Sequence, residues 1–169
     1  MHIRNAILAD LETVLALNVF VQQQHADALP GLFRSPSESS GDKAAFQGFL
    51  SDPAALMLLA EDPEPAGYLW AQFQDRPANW ARHASRLLYI QHVAVAPSFR
   101  QKGIGSRLLA RAVEIARRED IQRVELDVWS FNSEARRFYA SHYFAVFNER
   151  MALDLDGTGR AATSNGENL

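Results

Sequence analysis

The clearest pattern of apolar and polar positions lies in the middle of the chain. Residues 87–95 (LLYIQHVAV) are mostly apolar and rich in β-branched and aromatic side chains, which predicts a strand buried on both faces. Pro97 is expected to end this strand. From Ile104 to Ala116, apolar residues recur at helical spacing with charged residues on the other side, which predicts an amphipathic helix. We expect this strand, turn and helix to organise the rest of the fold.

The flanking segments alternate between strand-like and helix-like patterns. Asp10 can cap a first helix, and Ser40 or Asp42 a second, because short polar side chains accept hydrogen bonds from a first helical turn. Asn132 or Ser133 can cap a short helix further on. The other predicted elements, in chain order, are a strand at 1–6, a first helix reaching about 24, a loop at 35–41, a second helix ending near 50, an antiparallel hairpin of 54–61 and 66–74, a surface crossing at 74–86, a strand at 122–129, and a final strand or strand pair at 144–155.

Composition narrows the classes of function. The chain has 169 residues, 47% of them hydrophobic, and a formal net charge of −3. This predicts one domain over 1–155, followed by a flexible tail at 156–169. The mild acidity gives no reason to expect nucleic acid as a partner, and no long apolar run or leader pattern indicates a membrane or export, so we expect a cytoplasmic protein. The sequence has no cysteine, which excludes disulfides and thiol catalysis, and its five histidines lack metal-ligand spacing, so no metal is expected.

Candidate chemistry lies where the central strand passes into the helix, at residues 100–106 (RQKGIGS), called the cradle below. A helix N-terminus leaves about four backbone N–H groups unpaired and attracts anions. Glycines let the backbone approach such an anion, and Arg100 and Lys102 add full charges, so the cradle is predicted to bind a diphosphate. The P-loop is excluded because no Lys-Ser or Lys-Thr pair follows a second glycine. A dinucleotide-binding oxidoreductase would need glycine or alanine in place of Leu108.

The cradle carries a family resemblance. Arg100, Gly103 and Gly105 match the pattern R/Q-x-x-G-x-G/A directly after an apolar strand. This pattern resembles the acetyl-coenzyme A motif of the GNAT superfamily of N-acyltransferases.

A second motif strengthens the resemblance. Asn132, Ala135 and Tyr139 form Asn-x-x-Ala-x-x-x-Tyr, followed by an aromatic residue at 144, which resembles the other characteristic segment of GNAT enzymes. The family usually has Gly-Phe where this chain has Tyr143 and Phe144. That departure concerns the turn after the helix and removes no catalytic group.

The resemblance covers roughly residues 3–155 and implies an α/β domain of GNAT type. The implied fold is a mixed, mostly antiparallel sheet of six or seven strands with helices on both faces. Its coenzyme cleft would open where the strand ending at Val95 parts from the strand ending at Trp129. The implied co-substrate is acetyl-CoA, without a metal. The residues implied to bind it are Val93, Ala94 and Val95 along the pantetheine, Arg100, Gln101, Lys102, Gly103, Ile104, Gly105 and Ser106 around the diphosphate, and Asn132, Ala135 and Tyr139 from the second motif.

The resemblance also implies a reaction, the direct transfer of the acetyl group of acetyl-CoA to a primary amine of a small molecule or peptide. Tyr139 would be the general acid. His92 could be the base or a structural histidine, and Glu125 and Asp127 are other base candidates unless they pair with arginines. His25, Trp70 and Asp127 are candidates for binding the acceptor.

Several alternatives stay open at this point. The acceptor could be a protein N-terminal or lysine amine, and the donor a longer acyl-CoA. A non-catalytic module that binds coenzyme A would share the same motifs. A homodimer is possible, by analogy with proteins of similar sequence.

Overall fold

The computed structural model describes residues 1–38, 42–153 and 155. The chain divides into two compact units, Met1–Asp127 and Val128–Leu169. Within the described residues, the first unit has a five-stranded sheet and three α-helices, and the second has one α-helix. The elements are β1 (His2–Asn5), α1 (Leu11–Ala28), α2 (Asp42–Ser51), β2 (Ala55–Glu61), β3 (Pro65–Arg76), β4 (Ser85–Val95), α3 (Ile104–Arg118), β5 (Val124–Leu126) and α4 (Ser133–Ser141). No helix in the described ranges is both long and apolar enough to cross a membrane.

The sheet has the order β1-β2-β3-β4-β5, and every neighbouring pair is antiparallel except β4 and β5, which are parallel. Leu59, Tyr68 and Trp70 on one face pack with apolar residues of α1 and α2. Leu58 and Leu69 alternate with them and therefore point to the opposite face, where α3 contacts the same strands. Helices thus cover both faces, as the sequence predicted.

The pairing of β4 changes at Gln91. Trp70 of β3 lies opposite His92, whereas the next residue, Ala71, lies opposite Ile90, so Gln91 forms a β-bulge. The parallel pairing with β5 stops at the same point, because Ile90 is the last β4 residue paired on that side. Beyond the bulge, β3 is the only described strand that pairs with β4.

Three predictions about strands are wrong. The described residues contain five strands rather than six or seven. Residues 144–153 form no strand, because no described strand supplies the backbone hydrogen bonds that a strand requires. The strand predicted at 122–129 is limited to Val124–Leu126, because the bulge diverts β4 and the ladder ends there. Pairing between the two strands therefore ends at Leu126, before Trp129.

The other elements lie near their predicted positions. The first helix extends to Ala28 rather than to about residue 24, and α3 begins at Ile104 as expected. Ser40 and the predicted tail at 156–169 lie outside the described residues.

Candidate active site

The cradle is shaped by backbone conformation. Pro97–Phe99 forms a short 3-10 turn after β4, and Gln101 and Gly103 then take left-handed conformations with φ of 60° and 76°. A side chain is strained in this region, which explains the glycine at the start of α3. Gly103 is also the N-cap of α3, so no capping side chain occupies the N–H groups of the first turn, from Ile104 onward. These groups are available to an anionic ligand.

Two cations stand beside these N–H groups. Arg100 and Lys102 are both exposed. The Arg100 Nε lies 3.4 Å from the carbonyl oxygen of Val95, and the Lys102 Nζ lies 5.0 Å from the centre of the Phe99 ring. Neither cation forms an ion pair with a carboxylate in the described ranges of the chain. Both charges can therefore pair with a bound phosphate.

The end of β4 presents backbone groups on its unpaired side. The N–H of Ala96 donates to the carbonyl oxygen of Ala66 across the β3 side, at 2.9 Å. Because alternate residues of a strand face opposite neighbours, Val93 and Val95 direct their N–H and C=O groups away from β3. Ala94 faces β3 instead, and its side chain is 3% exposed within the α1/α2 core. Of the three residues predicted along the pantetheine, Val93 and Val95 therefore have the suitable backbone direction.

Hydrogen bonds join three side chains between α1 and the sheet. The Tyr68 hydroxyl donates to Asn18 Oδ1 at 2.9 Å and lies 3.0 Å from His92 Nδ1. We call Asn18, Tyr68 and His92 the polar triad. Asn18 is only 5% exposed and sits on α1 among apolar neighbours, while Tyr68 is fully buried. Burial, with a smaller contribution from His25, lowers the pKa of His92 to about 4, so the imidazole is neutral at physiological pH.

Aromatic rings hold the His92 side chain. The Trp70 ring meets the His92 ring perpendicularly, with centroids 5.2 Å apart, and stacks on Phe49 at 3.9 Å. Trp70 is 7% exposed, and its buried Nε1 has no hydrogen-bond partner among the described residues. His25 stacks on Phe33 at 4.8 Å, and burial lowers its pKa. His25, Trp70 and His92, predicted from different segments, therefore lie in one region of the first unit.

The two carboxylates predicted as base candidates, Glu125 and Asp127, lie in different surroundings. Glu125 is 8% exposed, and its two oxygens pair with Arg76 Nη1 at 2.9 Å and Arg123 Nε at 2.8 Å. This arrangement agrees with the structural alternative for Glu125, because both oxygens are engaged. Asp127 is exposed, and burial together with the Asp127 carboxylate raises the pKa of Tyr89 to about 12. Asp127 is therefore the more exposed of the two carboxylates, and it accepts a hydrogen bond from Tyr89.

The second unit contains the second motif. Asn132 caps α4 as predicted, because its Oδ1 accepts from the N–H of Ala135 at 2.9 Å. The Tyr139 ring contacts Phe138 and Phe144 edge-on, with centroids 5.1 and 5.6 Å away. Burial raises the pKa of Tyr139 to about 12, so the phenol keeps its proton at neutral pH. The hydroxyl is therefore in the form that a general acid needs.

Sequence reasoning missed the role of Tyr68 and Asn18. The sequence pattern places Tyr68 within an apolar strand and does not indicate which residues its hydroxyl contacts. The available signal was Asn18, a polar residue in the apolar stripe that α1 turns toward the sheet. A polar residue on a buried stripe requires a partner from elsewhere in the fold.

Comparison with known proteins shows the family to which the chain belongs. The model of the acetyltransferase (GNAT) family matches residues 19–144. Streptothricin acetyltransferase A of Bacillus subtilis (strain 168) is 35% identical over 69 residues, which cover 41% of this chain and 38% of that enzyme. The chain spans between 38% and 66% of the lengths of three curated relatives that it matches.

Many solved structures are similar to this chain, among them two that match nearly the whole of it. The tetramutant of the BH1408 protein from Bacillus halodurans has a TM-score of 0.86 and 25% identity, covering 92% of this chain and 100% of that one. A protein from Clostridium acetobutylicum, described as a predicted acetyltransferase and solved with acetyl-CoA, has a TM-score of 0.69 and 20% identity, covering 91% and 96%. The second likeness concerns the fold alone. With the family model matching most of its length, the chain belongs to the GNAT acetyltransferase family.

Proposed function

We propose that this GNAT family member transfers the acetyl group of acetyl-CoA directly to a primary amine of a small molecule or peptide, within a ternary complex. Membership of the family indicates acyltransferase activity. The choice of donor, the class of acceptor and the residue roles are our proposal.

The cradle is the observation that carries this proposal. Uncapped first-turn N–H groups, a left-handed Gly103 and the cations of Arg100 and Lys102 fit a diphosphate. The outward backbone groups of Val93 and Val95 fit an extended amide chain, which can pair with them as an added strand would. Coenzyme A has both a diphosphate and an amide-bearing pantetheine, so the residues present fit it.

Acetyl-CoA supplies an activated acetyl group as a thioester when bound. The chain must position the acceptor and manage its proton, because removing a proton from a primary ammonium at pH 7 costs on the order of 4 kcal/mol. Tyr139 is the proposed acid, and its raised pKa keeps the proton in place until it is needed. No cysteine is present to act as a covalent nucleophile, which supports direct transfer.

The acceptor is proposed only as a class. The Bacillus subtilis relative is named for streptothricin, which supports including streptothricin in an acceptor panel. A protein N-terminal or lysine amine is the second acceptor class, and a longer acyl-CoA the alternative donor. The cytoplasmic location and the possible homodimer stay predictions.

The test is calorimetric titration of the purified protein with acetyl-CoA, with NAD as a control ligand. Gly103→Trp should weaken binding by about 100-fold, equivalent to about 2.7 kcal/mol, because the indole fills the anion site. Gly103→Asn should change the affinity only a few-fold, since asparagine tolerates the left-handed conformation. Gly48→Trp is the matched bulky control, because Gly48 lies on α2 and a Cβ added there would meet no other atom within 4 Å.

Three results would contradict the proposal. Folded wild-type protein that fails to bind acetyl-CoA would remove the coenzyme. Binding that survives Gly103→Trp would place the coenzyme elsewhere. Binding without release of free thiol, across an amine panel containing streptothricin, a polyamine and a lysine peptide, would favour the non-catalytic coenzyme A module.

A further inference from the structure

We infer that Asn18 and Tyr68 are positioning residues that hold His92 in a single tautomer, with its Nε2 as the hydrogen-bond acceptor for the amine substrate. This inference rests on the proposed function for its catalytic meaning. The tautomer itself can be measured without any acceptor.

The direction of the hydrogen bonds follows from counting protons in the polar triad. A tyrosine hydroxyl carries one hydrogen, and that of Tyr68 is directed to Asn18 Oδ1. Only a lone pair of the Tyr68 oxygen then remains for His92 Nδ1, which lies 3.0 Å away. Nδ1 must therefore carry the ring proton and donate it, so Nε2 of the neutral ring is an acceptor.

The surroundings leave Nε2 accessible. His92 is partly buried, and no hydrogen-bond partner of its Nε2 occurs among the described residues. Among the described residues, Trp70 Nε1 is a side-chain nitrogen that is both buried and without a hydrogen-bond partner, and His92 Nε2 is not. Because Nε2 has no partner, it must reach the solvent-accessible surface. One side of the imidazole is thus anchored in the core, and the other presents a lone pair outward.

The position of His92 connects this lone pair with the proposed reaction. His92 is the first β4 residue beyond the Gln91 bulge, followed by Val93 and Val95, whose backbone groups point away from β3. A donor bound along Val93 and Val95 would lie on the strand that carries His92. An acceptor amine near the donor could then donate an N–H to Nε2.

The proton balance is straightforward. As the amine attacks, a C–N bond forms and the C–S bond breaks. The nitrogen loses one proton to His92 Nε2, and the sulfur gains one proton from the general acid. The nitrogen becomes strongly acidic once its C–N bond forms, so a weakly basic imidazole is sufficient. The amine enters this step in its neutral form, having lost its ammonium proton to solvent. Before the next cycle His92 returns its proton to solvent, and the general acid regains one from solvent.

If the polar triad had only a structural role, the fold would be the same, but a change of the His92 tautomer would not alter kcat. Asn18→Leu separates the two roles, because it removes the acceptor oxygen at nearly constant volume. The Tyr68 hydroxyl would then have His92 Nδ1 as its best acceptor and would donate to it. The ring would exchange to the opposite tautomer, in which Nε2 carries the proton and can no longer accept.

The experiment is a long-range ¹H–¹⁵N NMR measurement of the His92 ring in the 169-residue protein bound to coenzyme A. Wild-type protein should show the Nδ1–H tautomer, and Asn18→Leu the Nε2–H tautomer. Asn18→Asp keeps an acceptor oxygen and should restore Nδ1–H. With the most active amine of the panel, Asn18→Leu should lower kcat on the order of 100-fold without changing the affinity for coenzyme A, and Asn18→Asp should recover most of the loss.

Each outcome decides the inference. An Nε2–H tautomer in the wild-type protein overturns it, as does a tautomer that does not change in Asn18→Leu. An unchanged kcat in a variant with the exchanged tautomer leaves the triad merely structural. If Asn18→Leu does not fold, Tyr68→Phe provides the second variant, in which Nδ1 loses its partner and the tautomers should mix. If the wild-type protein did not bind the coenzyme at all, that result would instead contradict the proposed function.

Discussion

The cradle and the polar triad are built in opposite ways. The cradle uses consecutive residues, 100–106, and relies on backbone N–H groups and exposed charges. The triad uses single side chains from α1, β3 and β4, and two of its three members are buried. The difference is that a diphosphate can be recognised by a short piece of chain, whereas a defined proton position requires contacts between distant residues.

This comparison predicts a separation of effects. Changes in the cradle should alter the affinity for the coenzyme and leave the chemical step unchanged. Changes in the triad should alter turnover and leave the affinity unchanged.

The largest loss of kcat is expected from a change at Tyr139. This residue sharpens the comparison of cradle and triad, because it lies in a short local motif, as the cradle residues do, yet its proposed role is chemical. Tyr139→Phe should lower kcat by about 10² to 10³-fold, since phenylalanine cannot donate a proton, while the coenzyme dissociation constant stays within a few-fold. Steady-state kinetics and calorimetry on the same preparation measure both quantities.

A neighbouring tyrosine provides the control. Tyr143 is 98% exposed in the same unit, so Tyr143→Phe should leave both quantities unchanged. If Tyr139→Phe turned over at the wild-type rate, Tyr139 would have only its packing role against Phe138 and Phe144.

The second prediction concerns the stability of the triad as pH falls. The pKa of His92 is lowered from its ordinary 6.5 to about 4 in the folded protein. Between these values the unfolded chain binds a proton that the folded chain does not, so the free energy of unfolding decreases as pH falls from 6.5 toward 4. The full shift is equivalent to about 3 kcal/mol. Urea unfolding at several pH values should show this slope, and His92→Phe should remove most of it.

Two other histidines serve as comparisons. His83 is exposed in the loop after β3, so His83→Phe should keep the slope of the wild type. His25 has a pKa that burial also lowers, so it contributes with the same sign. A slope that persists unchanged in His92→Phe would show that His92 is not protected from protonation by the fold.

The same contrast explains how far the sequence could be interpreted. The strand, the cradle and α3 follow from local periodicity and from a helix start at Gly103, so their positions were predictable. The triad was not, because no local pattern joins Asn18 on α1 with Tyr68 on β3. The five-stranded sheet also depends on long-range pairing: the Gln91 bulge ends the β4–β5 ladder, and its position depends on β3.

The smallest effect is expected from one charge of the cradle, because exposed charges are screened and individually weak. Lys102→Ala should weaken coenzyme A binding by about threefold to tenfold, with kcat unchanged, and the loss should diminish as salt is added. Arg118→Ala removes the same charge from the far end of α3, where Arg118 pairs with Glu114, and should have no effect. Pantetheine, which lacks the diphosphate, should bind the wild type and Lys102→Ala equally. If pantetheine binding fell as much as coenzyme A binding, Lys102 would act through the shape of the cradle rather than through its charge.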